Sequence, residues 1–332
     1  MKKLLIMAMC IATGITFSQN LILTDGQTGA IKKTSGTPDA VVTFVQDGAP
    51  ATAVCEVDQV IMPEDFVKNG RNKVAVRQMG DSNEANGTQE GIGNMSLIRQ
   101  DNSNFLPSEI GNLASTVQIG SRNGADIKQF GEGNEGRIHQ LGDDNYAIQD
   151  VGSDTAMKSE GNLAYAKQDG DENSTSQKQR YDNNDATAIT IGDRNTVVQD
   201  QNSGPNQSSG SVAFVNQVGN DNGAQQVQLG SENFASVYQT GDRNTSVETQ
   251  TMIGYFEEEM NISTVNQVGN DNISCVTQYA DLASNSSCVN QIGSDNSSLV
   301  NQTAVLGGKN ASCVKQFGDN NTAQVSQTNS IF

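Results

Sequence analysis

The 332-residue sequence has no tryptophan, one histidine, five prolines and only 5% aromatic residues. Hydrophobic residues make up 35% of it, so a compact core of large side chains cannot be built. Such a composition belongs either to a disordered chain or to a repeat fold in which each unit buries small residues against its neighbours. Positive charge is also scarce: 20 Lys and Arg stand against 38 Asp and Glu, a net charge of −18. Nucleic-acid binding, which needs a basic footprint, is excluded. A surface this acidic keeps separate molecules apart until specific contacts form. The lone histidine, His139, has no acid–base partner, Ser-His-Asp set or metal cluster around it, so no enzyme activity, cofactor or metal is expected. The glycine-rich nonapeptide of calcium-binding β-rolls is absent too.

The start of the chain is different. Lys2 and Lys3 precede an apolar stretch from Leu4 to Phe17, and residues 1–18 read as a secretory signal cleaved before Gln19. Cys10 falls inside it. The other four cysteines, Cys55, Cys275, Cys288 and Cys313, match no zinc spacing. Residues 19–71 lack clear repeats, although Ala40 to Gln46 alternates well enough for one degenerate strand. Residues 72–332 form the repeat region.

There, N-x-[A/S]-x-[V/I]-x-Q-x-G-x-x recurs 21 times. Asn opens every unit except the one at Ser211, and Gln closes all but those ending at Val151 and Thr190. The constrained positions are every second residue, which is the period of a β-strand. Asn, Ala/Ser, Val/Ile and Gln therefore share a buried face. Variable residues such as Lys128, Arg137, His139 and Tyr238 take the wet face. Of 14 links with the minimal 11-residue spacing, 13 carry Gly two residues after Gln, the exception being Tyr181. The glycines assigned to tight arcs are Gly80, Gly120, Gly131, Gly142, Gly219, Gly230, Gly241, Gly269, Gly293 and Gly318. The six longer links all follow odd-numbered units. A three-strand coil would scatter them over three edges, whereas a two-strand coil places them all on one.

The expected fold is therefore all-β: a solenoid of stacked β-arches, two strands per coil, with two parallel in-register sheets and about ten coils. Strands about 4.8 Å apart give a rod roughly 50 Å long. Like residues stack in such a rod, and each side-chain amide bonds to those above and below. Mid-rod rungs are Asn222, Gln228, Asn233, Gln239, Asn296 and Gln302. Asn72, Gln78, Asn83 and Gln89 form the rungs of one end, and Asn310, Gln316, Asn321 and Gln327 those of the other. Only five residues follow Gln327, so the C-terminal edge is expected to be uncapped and open to another molecule. Cys288 and Cys313 should stack outward in adjacent coils, roughly 5 Å apart at Cα, as a disulfide or as two free thiols. Cys275 belongs to the opposite sheet and should not join them.

These residues resemble the curlin repeat, Q-x-G-x-x-N-x-A-x-x-x-Q, seen here as Gln228-Leu-Gly-Ser-Glu-Asn233-Phe-Ala235-Ser-Val-Tyr-Gln239. The resemblance covers roughly residues 72–327 and has about twice the usual number of coils. It implies a secreted functional amyloid with roles in biofilm matrix, adhesion and surface attachment. It also implies export through a dedicated outer-membrane pore and partnership with itself, with other curlin-like subunits or with a nucleator. In that family a short segment after the signal addresses the pore, which would be Gln19 to Thr34. The alternative is a monomeric solenoid that binds polysaccharide or ice. An ice-binding face needs regular outward Thr ranks, and here the outward positions are mixed.

Overall fold

A computed structural model describes residues 20–33, 41–44, 53, 55–60, 71–103, 110–152, 159–204, 209–254 and 259–330. The expected signal, residues 1–18, and the tips of the four longest insertions lie outside the described residues. The described residues form 24 strands and no helix. The last 21 of them, from β4 (Lys73–Met79) and β5 (Glu84–Ile92) to β23 (Lys309–Phe317) and β24 (Thr322–Ser330), correspond one to one with the sequence units.

Successive units alternate between two sheets, so each strand pairs with the one two places away. One sheet has 11 strands and the other 13. All pairs between repeat strands are parallel and in register, as where Gln228 lies between Gln201 and Gln250. This is the expected two-strand solenoid of about ten coils. Its long links all leave strands of the thirteen-strand sheet and so share one edge.

Burial follows the two-residue period. Along β14 (Thr196–Asn202), Val197, Gln199 and Gln201 are buried while the residues between them are half-buried. On the edge without insertions the glycines form a close column. A Cβ on Gly142, whose φ is +112°, would come within 2.2 Å of the Gly170 carbonyl oxygen. A side chain there would therefore clash with the next coil as well as strain the backbone. Tyr181, where the glycine is missing, is forced to φ +65°.

The expectation of an open C-terminal edge is corrected. The segment after the expected cleavage point forms β1 (Asn20–Thr24), which pairs parallel with β23, and β2 (Thr28–Lys33), which pairs parallel with β24. Together they add one more coil to the far end of the rod. The physical reason is apolar. Leu21, Leu23 and Ile31 alternate along the two strands and are buried in one cluster with Val314, Ala323 and Val325. The alternation expected over Ala40 to Gln46 appears as β3 (Val41–Phe44), but antiparallel on β2 and outside the repeat register.

Candidate self-assembly site

The candidate site is the pair of amide ladders and the two rod ends where they terminate. Each Gln uses its two amide hydrogens differently. One goes along the rod: Gln228 Nε2 donates to Gln250 Oε1 at 2.9 Å, and Gln250 Nε2 to Gln278 Oε1 at 2.8 Å. The other goes across the interior: Gln228 Nε2 also donates to the Val212 carbonyl of the facing sheet, and Gln239 Nε2 to that of Gly223. The ladder thus joins coil to coil and sheet to sheet, and it pairs amides that would be costly to bury alone.

The Asn rungs run in the opposite sense. The Asn244 backbone N–H and Nδ2 both donate to Asn222 Oδ1, at 3.0 and 3.1 Å, and Asn222 Nδ2 donates to the Gly241 carbonyl at 2.7 Å. The repeat's Asn therefore stacks on its counterpart and also closes the glycine arc. The second sheet repeats the pattern until Ser211, whose hydroxyl takes the place of the amide under Asn233 at 3.4 Å.

Each ladder has a polarity, so the ends differ. At the β4–β5 end, Gln78 Nε2 donates inward to Gln100 and Gln89 Nε2 to Gln118, leaving their Oε1 atoms as terminal acceptors. Asn72 Oδ1 and Asn83 Oδ1 are already taken by Asn94 and Asn112, and Asn83 Nδ2 donates to the Met79 carbonyl and Asn102 Oδ1, so the side-chain donor left there is Asn72 Nδ2, which gives one hydrogen to the Gly91 carbonyl. At the other end, Gln302 donates to Gln327 and Gln291 to Gln316, making these two the terminal donors. Asn321 and Asn310 are the terminal acceptors. The Gln27 backbone N–H occupies Asn321 Oδ1 at 3.0 Å, while the buried Asn310 Oδ1 accepts from no described residue. The two ends of the repeat ladders are therefore opposite in sense, the second of them lying under β1 and β2.

The gap in the Gln ladder at Val151 has a local reason. Where Val151 replaces Gln in the thirteen-strand sheet, an auxiliary ladder runs one inward position earlier: Gln149, Gln177, Gln199 and Gln226 bond in sequence at 2.8–3.0 Å. The facing strands there carry small Ala166 and Ala188, which leave room for it. This ladder is visible in the sequence once units are sorted by parity, but the Val/Ile consensus at that position hid it.

The auxiliary ladder ends on Glu248. It accepts from Gln226 Nε2 at 2.8 Å and from the Ser263 hydroxyl on the facing sheet. Glu248 is fully buried. Loss of solvation pushes its pKa up to about 8, and the two hydrogen bonds only partly oppose that.

Cys288 and Cys313 are register partners and form a disulfide with Cα atoms 4.4 Å apart. Cys275 bonds instead to Cys55, 220 residues away. Cys55 lies on a strap across the outer face of the thirteen-strand sheet. The Ala53 N–H donates to Ser297 Oγ at 2.9 Å, and further along the Asp58 N–H donates to Gln225 Oε1 at 2.8 Å. Nothing in the spacing of Cys55, outside the repeats, could reveal its partner.

Compared with known proteins, the chain matches the family model of the Curlin associated repeat over residues 120–148 and 230–279. No curated protein matches it.

Proposed function

We infer that the chain is a curlin-repeat protein of structural rather than enzymatic kind, from the match to the Curlin associated repeat over residues 120–148 and 230–279 and the recurrence of the same motif through residues 72–327. From this premise we propose that it is a secreted structural subunit that assembles end to end into an extracellular, curli-like amyloid fibre, with roles in biofilm matrix, adhesion and attachment. Residues 1–18 direct export, and passage outward uses a curli-type outer-membrane pore. Partners are further copies of itself, other curlin-like subunits or a nucleator.

The observation that carries this reading is ladder polarity. At one end the ladders finish on Gln acceptors, and at the other, beneath the β1–β2 coil, the Gln ladders finish in the donor sense and the Asn ladders in the acceptor sense. Copies stacked head to tail, with the β1–β2 coil displaced from its edge, continue both ladders, and a heterologous contact of this kind propagates without closing. The thirteen-strand sheet, which begins at β4 and ends its repeat at β24, continues in one direction.

The test is direct. Chain starting at Gln19, held at neutral pH for a day, should give unbranched fibres by electron microscopy, with a diffraction spacing of about 4.8 Å along the fibre. Persistent monomers would favour a monomeric surface-binding solenoid instead. Raising salt should speed fibre growth, because it screens repulsion between bodies of charge −20, the −18 of the full sequence without Lys2 and Lys3. Slower growth in salt would contradict assembly through non-ionic ladders.

A further inference from the structure

We propose that the β23–β24 edge is a docking surface for an apolar β-arch, and that the chain's own β1–β2 coil occupies it and keeps that end closed to a second copy. The inference rests on the fibre reading for its consequence, but not for the docking itself.

The edge needs a cover. Of the repeat strands, ten lie in one sheet and eleven in the other, so β4 and β24 are each outermost, and without β1 the inner face of β24 would meet the facing sheet on one side only, where Gln327 Nε2 donates to the Ala311 carbonyl of β23. β1 fills the vacant place. Leu21 and Leu23 lie in register with Val314 and Gln316, and Ile31 with Val325. Gly29, in register with Ala323, leaves the room that the two leucines use. A Cβ there would stand 2.9 Å from a methyl of each. The coil is tied at the backbone as well. The Thr322 N–H donates to the Gln27 carbonyl at 2.8 Å, and the Asp25 N–H to that of Phe317 at 3.0 Å.

The same coil is a poor template. The residues in register with the terminal Gln316 and Gln327 are Leu23 and Lys33, so neither Gln ladder is carried forward. β3 pairs antiparallel with β2, and an incoming repeat strand needs a parallel, in-register edge. β1, the other strand of the coil, is five residues long against nine in β23.

The strap makes the closure intramolecular. Cys55 lies 22 residues after the end of β2 and is bonded to Cys275, in the same half of the rod as the coil. Without that bond the nearest covalent anchor of the coil is β4, at the opposite end. A short tether holds the coil at high effective concentration over its own edge, and a second copy must compete with that.

The test uses the chain from Gln19 with Leu21→Asp and Leu23→Asp together, and separately with Cys55→Ser, which leaves the coil's own contacts intact. In the wild-type monomer the Thr322 amide should resist hydrogen exchange, and the double variant should release it by about a hundredfold or more. The synthetic peptide of residues 19–33 should bind the double variant and restore that protection. The double variant should shorten the fibre lag several-fold and Cys55→Ser by less. Rapid exchange at Thr322 in the wild type, or failure of the peptide to bind the double variant, overturns the docking. Release of Thr322 with unchanged lag in chains that do form fibres overturns the closure. If no variant forms fibres, the fibre reading falls, and Thr322 exchange with peptide binding still decides the docking.

Discussion

Val76 and Val325 occupy the same position in their units, four residues after Asn72 and Asn321. Val76 is 47% exposed and Val325 is 0% exposed. Both lie on an outermost repeat strand of the thirteen-strand sheet, and both strands overhang the facing sheet. The difference is that β1 and β2 lie over Val325 and no described strand lies over Val76. One repeat motif thus has two fates, decided by what faces it. At the β4 end the inner residues Val74, Val76 and Gln78 remain a bare edge, while at the β24 end their counterparts are core.

The largest effect should come from placing a charge at each of these two positions. Val325→Asp buries a carboxylate in the apolar cluster and should lower unfolding free energy by about 4 kcal/mol, read by denaturant titration. Val76→Asp should change monomer stability by under about 1 kcal/mol yet stop growth at the β4–β5 end, read by seeded elongation. Equal destabilisation by the two substitutions would remove the distinction between the ends.

A second test separates the ends from the middle of the rod. Glu248 lies between them, in β18 (Thr245–Ile253), with its pKa raised from 4.5 to about 8. The folded state therefore holds the Glu248 proton more tightly than the unfolded chain. Its contribution is most favourable below about pH 4.5 and is lost as pH rises towards about 8. Glu248→Gln should continue the auxiliary ladder and stabilise the rod by roughly 3 kcal/mol at pH 7, with little change at pH 4. Thermal unfolding of both proteins across that range checks it. A pH-independent difference would show that Glu248 is not buried as an acid.

The smallest effect concerns the arc that lacks its glycine. Tyr181→Gly relieves a positive φ and should stabilise by about 1 kcal/mol, without altering Thr322 exchange at the covered end. Any change at Thr322 would mean that the ends sense the middle of the rod.

Much of the interior could be read directly. Alternate Asn, Ala/Ser, Val/Ile and Gln marked the buried face, because side chains on a strand alternate between faces. The parity of the insertions gave two strands per coil and one common edge. The auxiliary ladder through Gln149, Gln177, Gln199 and Gln226 was equally open to view, but averaging over all units obscured it. The covered end was not legible in the same way. Leu21, Leu23 and Ile31 alternate like any short strand pair, and nothing near them in the chain says they dock beside Val314 and Val325, almost 300 residues on. Cys55 is similar, since its partner is chosen by the path of the strap rather than by spacing.

Local periodicity was enough to specify the coil, its register and its ladders, because each unit interacts with copies of itself at a constant offset. Which end is covered, and by which segment, depends on contacts between residues with no repeating relation. That was decided only when the overhanging β24 and the apolar first segment met in space, where burying three large side chains outweighs leaving a strand face in water.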